Sequence, residues 1–210
     1  MSSGEHEEMS RKGRPVDVAK RDAILDAAAH SFFEHGFAGT AIEHVAAHAG
    51  VSKVTVYNHF GDKHALFKAA VEQECEKLRG FFSIAQDGGD IRARLIAIGE
   101  AMVAFLSRPE MVQFERRIAA ETDADPSIGL AFLEAGPRRM KAQFAAFLAH
   151  THATGELCVA NPELAAEQFA ALCKGMGDLE RRFGADEPDE INARRITGAV
   201  EIFLAAYCGR

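Results

Sequence analysis

Apolar residues recur at helical spacing along nearly the whole chain, and no alternating β-branched run bounded by turn residues interrupts them. Ile42, Val45, Ala46 and Ala49 fall at i, i+3, i+4 and i+7, a short helix with one buried face. Ile91, Leu95, Ile98, Met102 and Phe105 repeat that stripe further on. The punctuation agrees. Asp125-Pro126 and Asn161-Pro162 each place a capping side chain before a proline at the first helical position, and Asp90 follows the Gly88-Gly89 break. Arg108-Pro109 and Glu187-Pro188 offer the proline without a good cap. Thr40 and Glu43 have capping-box spacing, in which hydroxyl and carboxylate each satisfy an orphan amide. Gly36, Gly50 and Gly184 stand where helices stop. These signals predict an all-α fold of about nine helices, over 17–35, 41–48, 52–58, 62–84, 90–107, 109–122, 126–153, 162–183 and 188–207. The seventh is interrupted near Gly136-Pro137.

With 210 residues, 48% hydrophobic and 26% charged, the chain can bury a core without disulfide or metal staples. No apolar run approaches the ~20 residues of a membrane span. The leading MSSGEHEEMSRKGRP has no apolar stretch of the secretory kind, so a cytoplasmic location is expected and no membrane partner. Cys75, Cys158, Cys173 and Cys208 form no CxxC pair and read as free thiols in a reducing compartment, buried or inert, with a redox-sensing thiol as the alternative that nothing beside them marks. The formal net charge of -7 argues against a nucleic-acid partner until its distribution is examined. Between Ser10 and His64 seven bases face six acids, and seven of the nine histidines lie in the first 64 residues. From Ala65 onward the chain is acidic. A near-neutral front on an acidic body suits a protein that meets phosphate at one end only.

The stretch from Gly36 to Lys63 carries the most information. After the short helix, Ala49-Gly50-Val51-Ser52 supplies a tight turn in which Val51 plugs the core and Ser52 caps the next helix. That helix buries Val56 and Phe60 and turns Lys53, Thr55, Tyr57 and Asn58 elsewhere. Two short helices joined by a glycine turn, the second polar outside, describe a helix-turn-helix at about 40–59.

The same residues resemble the TetR/AcrR type of transcriptional regulator. The resemblance runs through Arg21-Asp22-Ala23-Ile24-Leu25-Asp26-Ala27-Ala28, Phe32 or Phe33 and Glu34-His35-Gly36-Phe37. It continues through Thr40, Val45-Ala46, Ala49 to Lys53, Thr55-Val56-Tyr57, His59-Phe60, Lys63 and Leu66-Phe67. Two positions depart from the pattern: Ala41 replaces a common second Ser/Thr, and Val54 stands where many members have glycine. The chemistry agrees with a DNA partner. Thr40, Tyr57, His59 and Lys63 are candidate phosphate contacts, and Ser52, Lys53, Val54, Thr55 and Asn58 candidate base readers at the start of the recognition helix. Arg11, Lys12 and Arg14 resemble the basic arm that some members lay along the minor groove. His44 and His48 sit four apart, but with no third ligand in helical reach they read as a solvated or phosphate-facing pair, and His150 with His152 near Cys158 is a weaker case. No metal or cofactor is expected.

The expected organisation is a basic-tipped leader (1–16), a DNA-binding domain (17–76) and a ligand-sensing and dimerisation body (77–210). The body resembles the AefR-like variety in Arg117 to Glu121, Ala131 to Pro137, Gly155-Glu156-Leu157 and Pro162 to Phe169. Met102, Phe105, Phe114, Arg117, Glu121, Phe144, Phe169, Cys173 and Met176 are candidates for an apolar chamber holding a small amphipathic effector, with plain core packing the rival reading for each. Leu172, Gly175, Leu179, Val200, Phe203, Leu204 and Tyr207 are candidates for a four-helix homodimer interface. The expected function is a ligand-responsive, homodimeric repressor reading a palindrome. The alternative is a DNA-binding regulator controlled by a protein partner. An enzyme is disfavoured, because no nucleophile elbow, HExxH, P-loop or dinucleotide turn is present.

Overall fold

Five of the helix starts are fixed by one short side chain each, among them the one that Asp62 caps, its Oδ1 accepting from Ala65 N at 2.7 Å. In the computed structural model, which describes residues 14–84, 89–185 and 188–208, Ser52 Oγ accepts from Thr55 N at 3.1 Å and Asn161 Oδ1 from Leu164 N at 3.1 Å. Asp125 Oδ1 accepts from Ser127 N at 3.0 Å and Asp90 Oδ1 from Arg92 N at 3.3 Å. Each satisfies an amide that the first turn leaves open.

The described residues form ten helices: α1 (Arg14–Gly39), α2 (Ile42–His48), α3 (Lys53–Phe60), α4 (Lys63–Ile84), α5 (Ile91–Leu106), α6 (Pro109–Thr122), α7 (Pro126–Ala135), α8 (Pro137–Ala153), α9 (Pro162–Arg182) and α10 (Asp189–Tyr207). The all-α expectation holds, and the expected interruption at Gly136-Pro137 separates α7 from α8. Two helices carry internal breaks. Gly36, with φ 75°, ends the regular part of α1 where a stop was expected, and Gly175, with φ 47°, kinks α9. Both conformations disfavour any side chain with a Cβ.

Buried apolar residues gather in two clusters. The first joins α1 to α4 with the end of α5, α6 and α7, around Phe32, Phe67 and Phe114. The rings of Phe33 and Phe114 stack at 4.2 Å, which welds α6 to α1. The second cluster lies among α5, α8, α9 and α10, around Leu95, Phe147, Phe169 and Phe203. The first cluster therefore runs past residue 76 into α6 and α7.

Candidate nucleic-acid interface

Ile42, Val45 and Ala46 bury the inner face of α2, and Val56 anchors α3 beneath it. The turn between them closes through Val51 N donating to Ala46 O at 2.9 Å. With α3 pinned by the buried Val56 and the half-buried Phe60, its opposite face points outward. Ser52, Lys53, Val54, Tyr57 and Asn58 are exposed, Val54 by 66%, while Thr55 and His59 are half-buried. Lys53 Nζ lies 2.5 Å from Glu43 Oε1 on α2 and 5.7 Å from the Tyr57 ring centroid. The Glu43 carboxylate raises the pKa of the lysine, which in turn lowers that of Glu43. The ammonium therefore stays charged at the leading edge of α3, held rather than roaming.

Two of the expected contacts change. Thr40 is 2% exposed: its hydroxyl donates to Gly36 O at 2.8 Å and accepts from Ser31 Oγ at 3.2 Å. It neither caps α2, whose N-cap is Ala41 without a side-chain bond, nor reaches a phosphate, so the capping box does not form. Lys63 is half-buried, with Nζ 3.4 Å from Ala38 O and 4.7 Å from the Phe37 ring centroid, and burial lowers its pKa. Its ammonium is turned onto the end of α1. Arg11 and Lys12 lie outside the described residues, and Arg14 opens α1. His44 and His48 are both exposed, with the His48 ring 5.7 Å from that of His30. Among the described residues no group of three or more His, Cys, Asp or Glu is placed to hold a metal ion.

The nine chamber candidates are not brought together. Phe105 and Phe114 lie in the first cluster, whereas Phe144, Phe169 and Cys173 lie in the second with Met102 against it. Met176 is 61% exposed. Within the second cluster the rings pack on one another: Phe169 lies 4.9 Å from Phe144 and 5.2 Å from Phe203, ring centre to ring centre. Burial pushes the Cys173 thiol up to about 12. Arg117 and Glu121 do something else. Arg117 Nη1 donates to Phe33 O at 2.6 Å, and Glu121 Oε2 accepts from Phe37 N at 2.9 Å and Ala38 N at 3.2 Å. A Cβ on Gly36 would come within 2.3 Å of Glu121 Oε1. The two residues clamp the broken end of α1 onto α6, a contact of high sequence separation that spacing alone does not announce.

The interface candidates also divide. Val200, Phe203 and Leu204 are buried in the second cluster of their own chain, because α10 uses that face to cover α5 and α9. Gly175 is approached by Arg195 of the same chain, whose Cδ would lie 2.7 Å from an added Cβ. Leu179 is exposed, and Leu172 and Tyr207 are half-buried. Leu172 and Tyr207 line a groove of about 500 Å³ with Gln168, Ala171, Ile202, Phe203 and Ala206, and Tyr207 donates to Gln168 Oε1 at 2.7 Å. Exposed Leu164 and Ile202, missed in the sequence, and Met176, expected in the chamber, stand on the outside of α9 and α10, with the exposed Phe183 just past the end of α9. No helix of the described residues is long and apolar enough to cross a membrane.

A two-helix unit with an outward polar helix, set on a helical body, defines a helix-turn-helix DNA-binding protein. A profile of bacterial regulatory proteins of the tetR family matches residues 24–70, and one of the AefR-like transcriptional repressor C-terminal domain matches residues 93–209. The chain belongs to the TetR family of transcriptional regulators, and its body is of the AefR-like kind. These are regulators and not enzymes. It is 40% identical over 73 residues to the HTH-type transcriptional regulator RutR of Escherichia coli K12, covering 35% of this chain and 34% of RutR. With the HTH-type transcriptional repressor AcnR of Corynebacterium efficiens it shares 25% identity over 109 residues, 52% of this chain and 54% of AcnR. The chain thus spans between about a third and about half of the length of these curated relatives. Solved structures match over far more. A TetR-family regulator of Mesorhizobium loti superposes with a TM-score of 0.77 at 28% identity, covering 92% of this chain and 98% of that one. The flavonoid-responsive regulator FrrA gives 0.69 at 30% identity over 91% and 98%.

Proposed function

We propose that this protein binds a palindromic DNA operator as a homodimer, represses the genes beside it, and is released by a small amphipathic effector. The observation that carries this reading is the exposed row Ser52, Lys53, Val54, Tyr57 and Asn58 on a helix anchored by Val56 and Phe60. Lys53 suits a guanine edge, Asn58 an adenine edge, and Val54 a thymine methyl, the pairings that major-groove geometry favours. Ser52 and Thr55 join them at the start of α3 as base readers, and Tyr57 and His59 flank them as hydroxyl and imidazole partners for phosphate. The basic Arg11, Lys12 and Arg14 lie just ahead, or at the start, of α1 and add charge on the approach to the backbone. TetR-family regulators are dimeric. Here the outer face of α9 and α10, with Leu172, Leu179, Ile202 and Tyr207, supports a pairing of two chains into a four-helix interface.

Release by an effector is supported by the flavonoid-responsive neighbour and by the clamp at the end of α1. A ligand that prefers a different setting of α6 pulls Arg117 and Glu121 and, with them, the helix-turn-helix. DNA and ligand then oppose each other through linkage. Selection of bound fragments from random duplex DNA at fixed moderate salt tests the reading. It predicts recovery of a palindrome with half-site centres about 34 Å apart. Recovery of only salt-sensitive background would overturn it.

A further inference from the structure

The segment after α8 alternates like a strand. Leu157 and Val159 are 2% and 0% exposed, so the side chain between them, Cys158, points outward and is exposed. The turn is pinned on both sides: Thr151 O accepts from Glu156 N at 2.9 Å and from Leu157 N at 3.2 Å, and Arg94 of α5 pairs with Glu156. Cys158 N then donates to Tyr207 O at 2.6 Å. Tyr207 is the last residue of α10, and the next residue, Cys208, leaves the helix in extended conformation with φ -69° and ψ 123° and is also exposed. Covalent geometry places the Cα of Cys208 about 2.8 Å, and that of Cys158 about 3.5 Å, from the shared carbonyl oxygen. The two Cα atoms are therefore at most about 6.3 Å apart, inside the range of about 4.4–6.8 Å that a disulfide spans.

We propose that Cys158 and Cys208 are a dithiol pair that a hydroperoxide oxidises to an intramolecular disulfide, closing the α9–α10 hairpin at its open end. One thiolate attacks the terminal peroxide oxygen, the O–O bond breaks and the alcohol (water, for hydrogen peroxide) leaves, giving a sulfenic acid. The second thiol attacks that sulfur, the S–O bond breaks, and water carries off the hydroxyl and the proton. Two thiols are oxidised and one peroxide is reduced. A thiol reductant reverses the bond by exchange, as befits a transient disulfide in a reducing compartment. The bridge would enclose all of α9 and α10 and fix the last turn of α10, where Ile202, Ala206 and Tyr207 line the outer groove. Cys75 and Cys173 serve as internal controls, since burial pushes their thiols up to about 11 and about 12 and keeps them protonated.

The test uses the full reduced chain, treated with hydrogen peroxide, alkylated, and followed by intact mass and peptide mapping. The expected result is a linked peptide pair containing Cys158 and Cys208, two thiols still open to alkylation after denaturation, and full reversal by dithiothreitol. C158S and C208S should each abolish the linked pair, whereas C75S and C173S should leave it in place. Thermal unfolding of the oxidised wild type should move upward relative to the reduced form, with no such shift in C208S. Continued alkylation of both Cys158 and Cys208 after peroxide, or a linkage found only between chains, would overturn the proposal. The readout is independent of DNA, so it stands or falls apart from the operator-binding reading.

Discussion

The two apolar clusters use the same residue types and differ in what they leave outside. Around Phe32, Phe67 and Phe114, the outward row on α3 is mostly polar and carries a charged lysine held by Glu43. Around Phe147, Phe169 and Phe203, α9 and α10 leave Leu164, Met176, Leu179 and Ile202 exposed outside, an apolar row. A polar row on a rigid support suits base edges and phosphates; an apolar row suits another apolar surface. The tie between α1 and α6, inside the first cluster, is neither. It is a clamp of charged groups on backbone atoms, Arg117 on Phe33 O and Glu121 on the amides of Phe37 and Ala38.

Four substitutions sharpen that contrast, in descending size. Phe169→Ala removes a ring packed between Phe144 and Phe203 and should lower the unfolding free energy by about 3–5 kcal/mol in denaturant titration. A near-neutral change would mean that Phe169 lines open space and that the chamber expected from the sequence exists after all. Gly36→Ala combines a left-handed backbone with a collision against Glu121 and should cost on the order of 1–3 kcal/mol. Pairing it with Glu121→Ala should recover part of that loss, and strict additivity would show that the two groups do not meet. Lys53→Ala should leave the thermal unfolding of the chain essentially unchanged, because the ion pair is exposed. Binding to the selected duplex should nevertheless weaken by roughly tenfold or more and change its base preference. Lys63→Ala should have the smallest effect, weakening all sequences alike and flattening the salt slope by about 1 or less, since Ala38 O already engages the ammonium. A base-selective loss there would mark Lys63 as a reader instead.

What could be read in the sequence was what depends on near neighbours. Ser52, Asp90, Asp125 and Asn161 cap their helices because a cap needs only an amide two or three residues on. The helix-turn-helix was legible for the same reason, its turn and its buried Val56 lying within one short stretch. Thr40 shows the limit. Its spacing to Glu43 fits a capping box, yet Ser31 and the broken end of α1 take the hydroxyl, and that competition exists only once Gly36 breaks the helix. The chamber failed at longer range. An apolar stripe states that a helix buries a face and not which of two clusters receives it, so Phe114 and Phe169 looked equivalent. Val200, Phe203 and Leu204 were misplaced likewise, since a buried face toward α5 and one toward a second chain give the same pattern. The tie between Gly36 and Glu121 had no local signal, because the missing Cβ and the carboxylate that fills its place stand far apart in the chain.

The central claim is that two recognition helices are held at one fixed separation by the outer face of α9 and α10. Its most direct test is a binding titration on the selected palindrome against the same palindrome with five base pairs inserted at its centre, roughly half a helical turn. The account predicts that the insertion rotates one half-site away and reduces affinity to that of a single half-site. Equal affinity for both duplexes would contradict it, because the two helices would then be reading DNA independently.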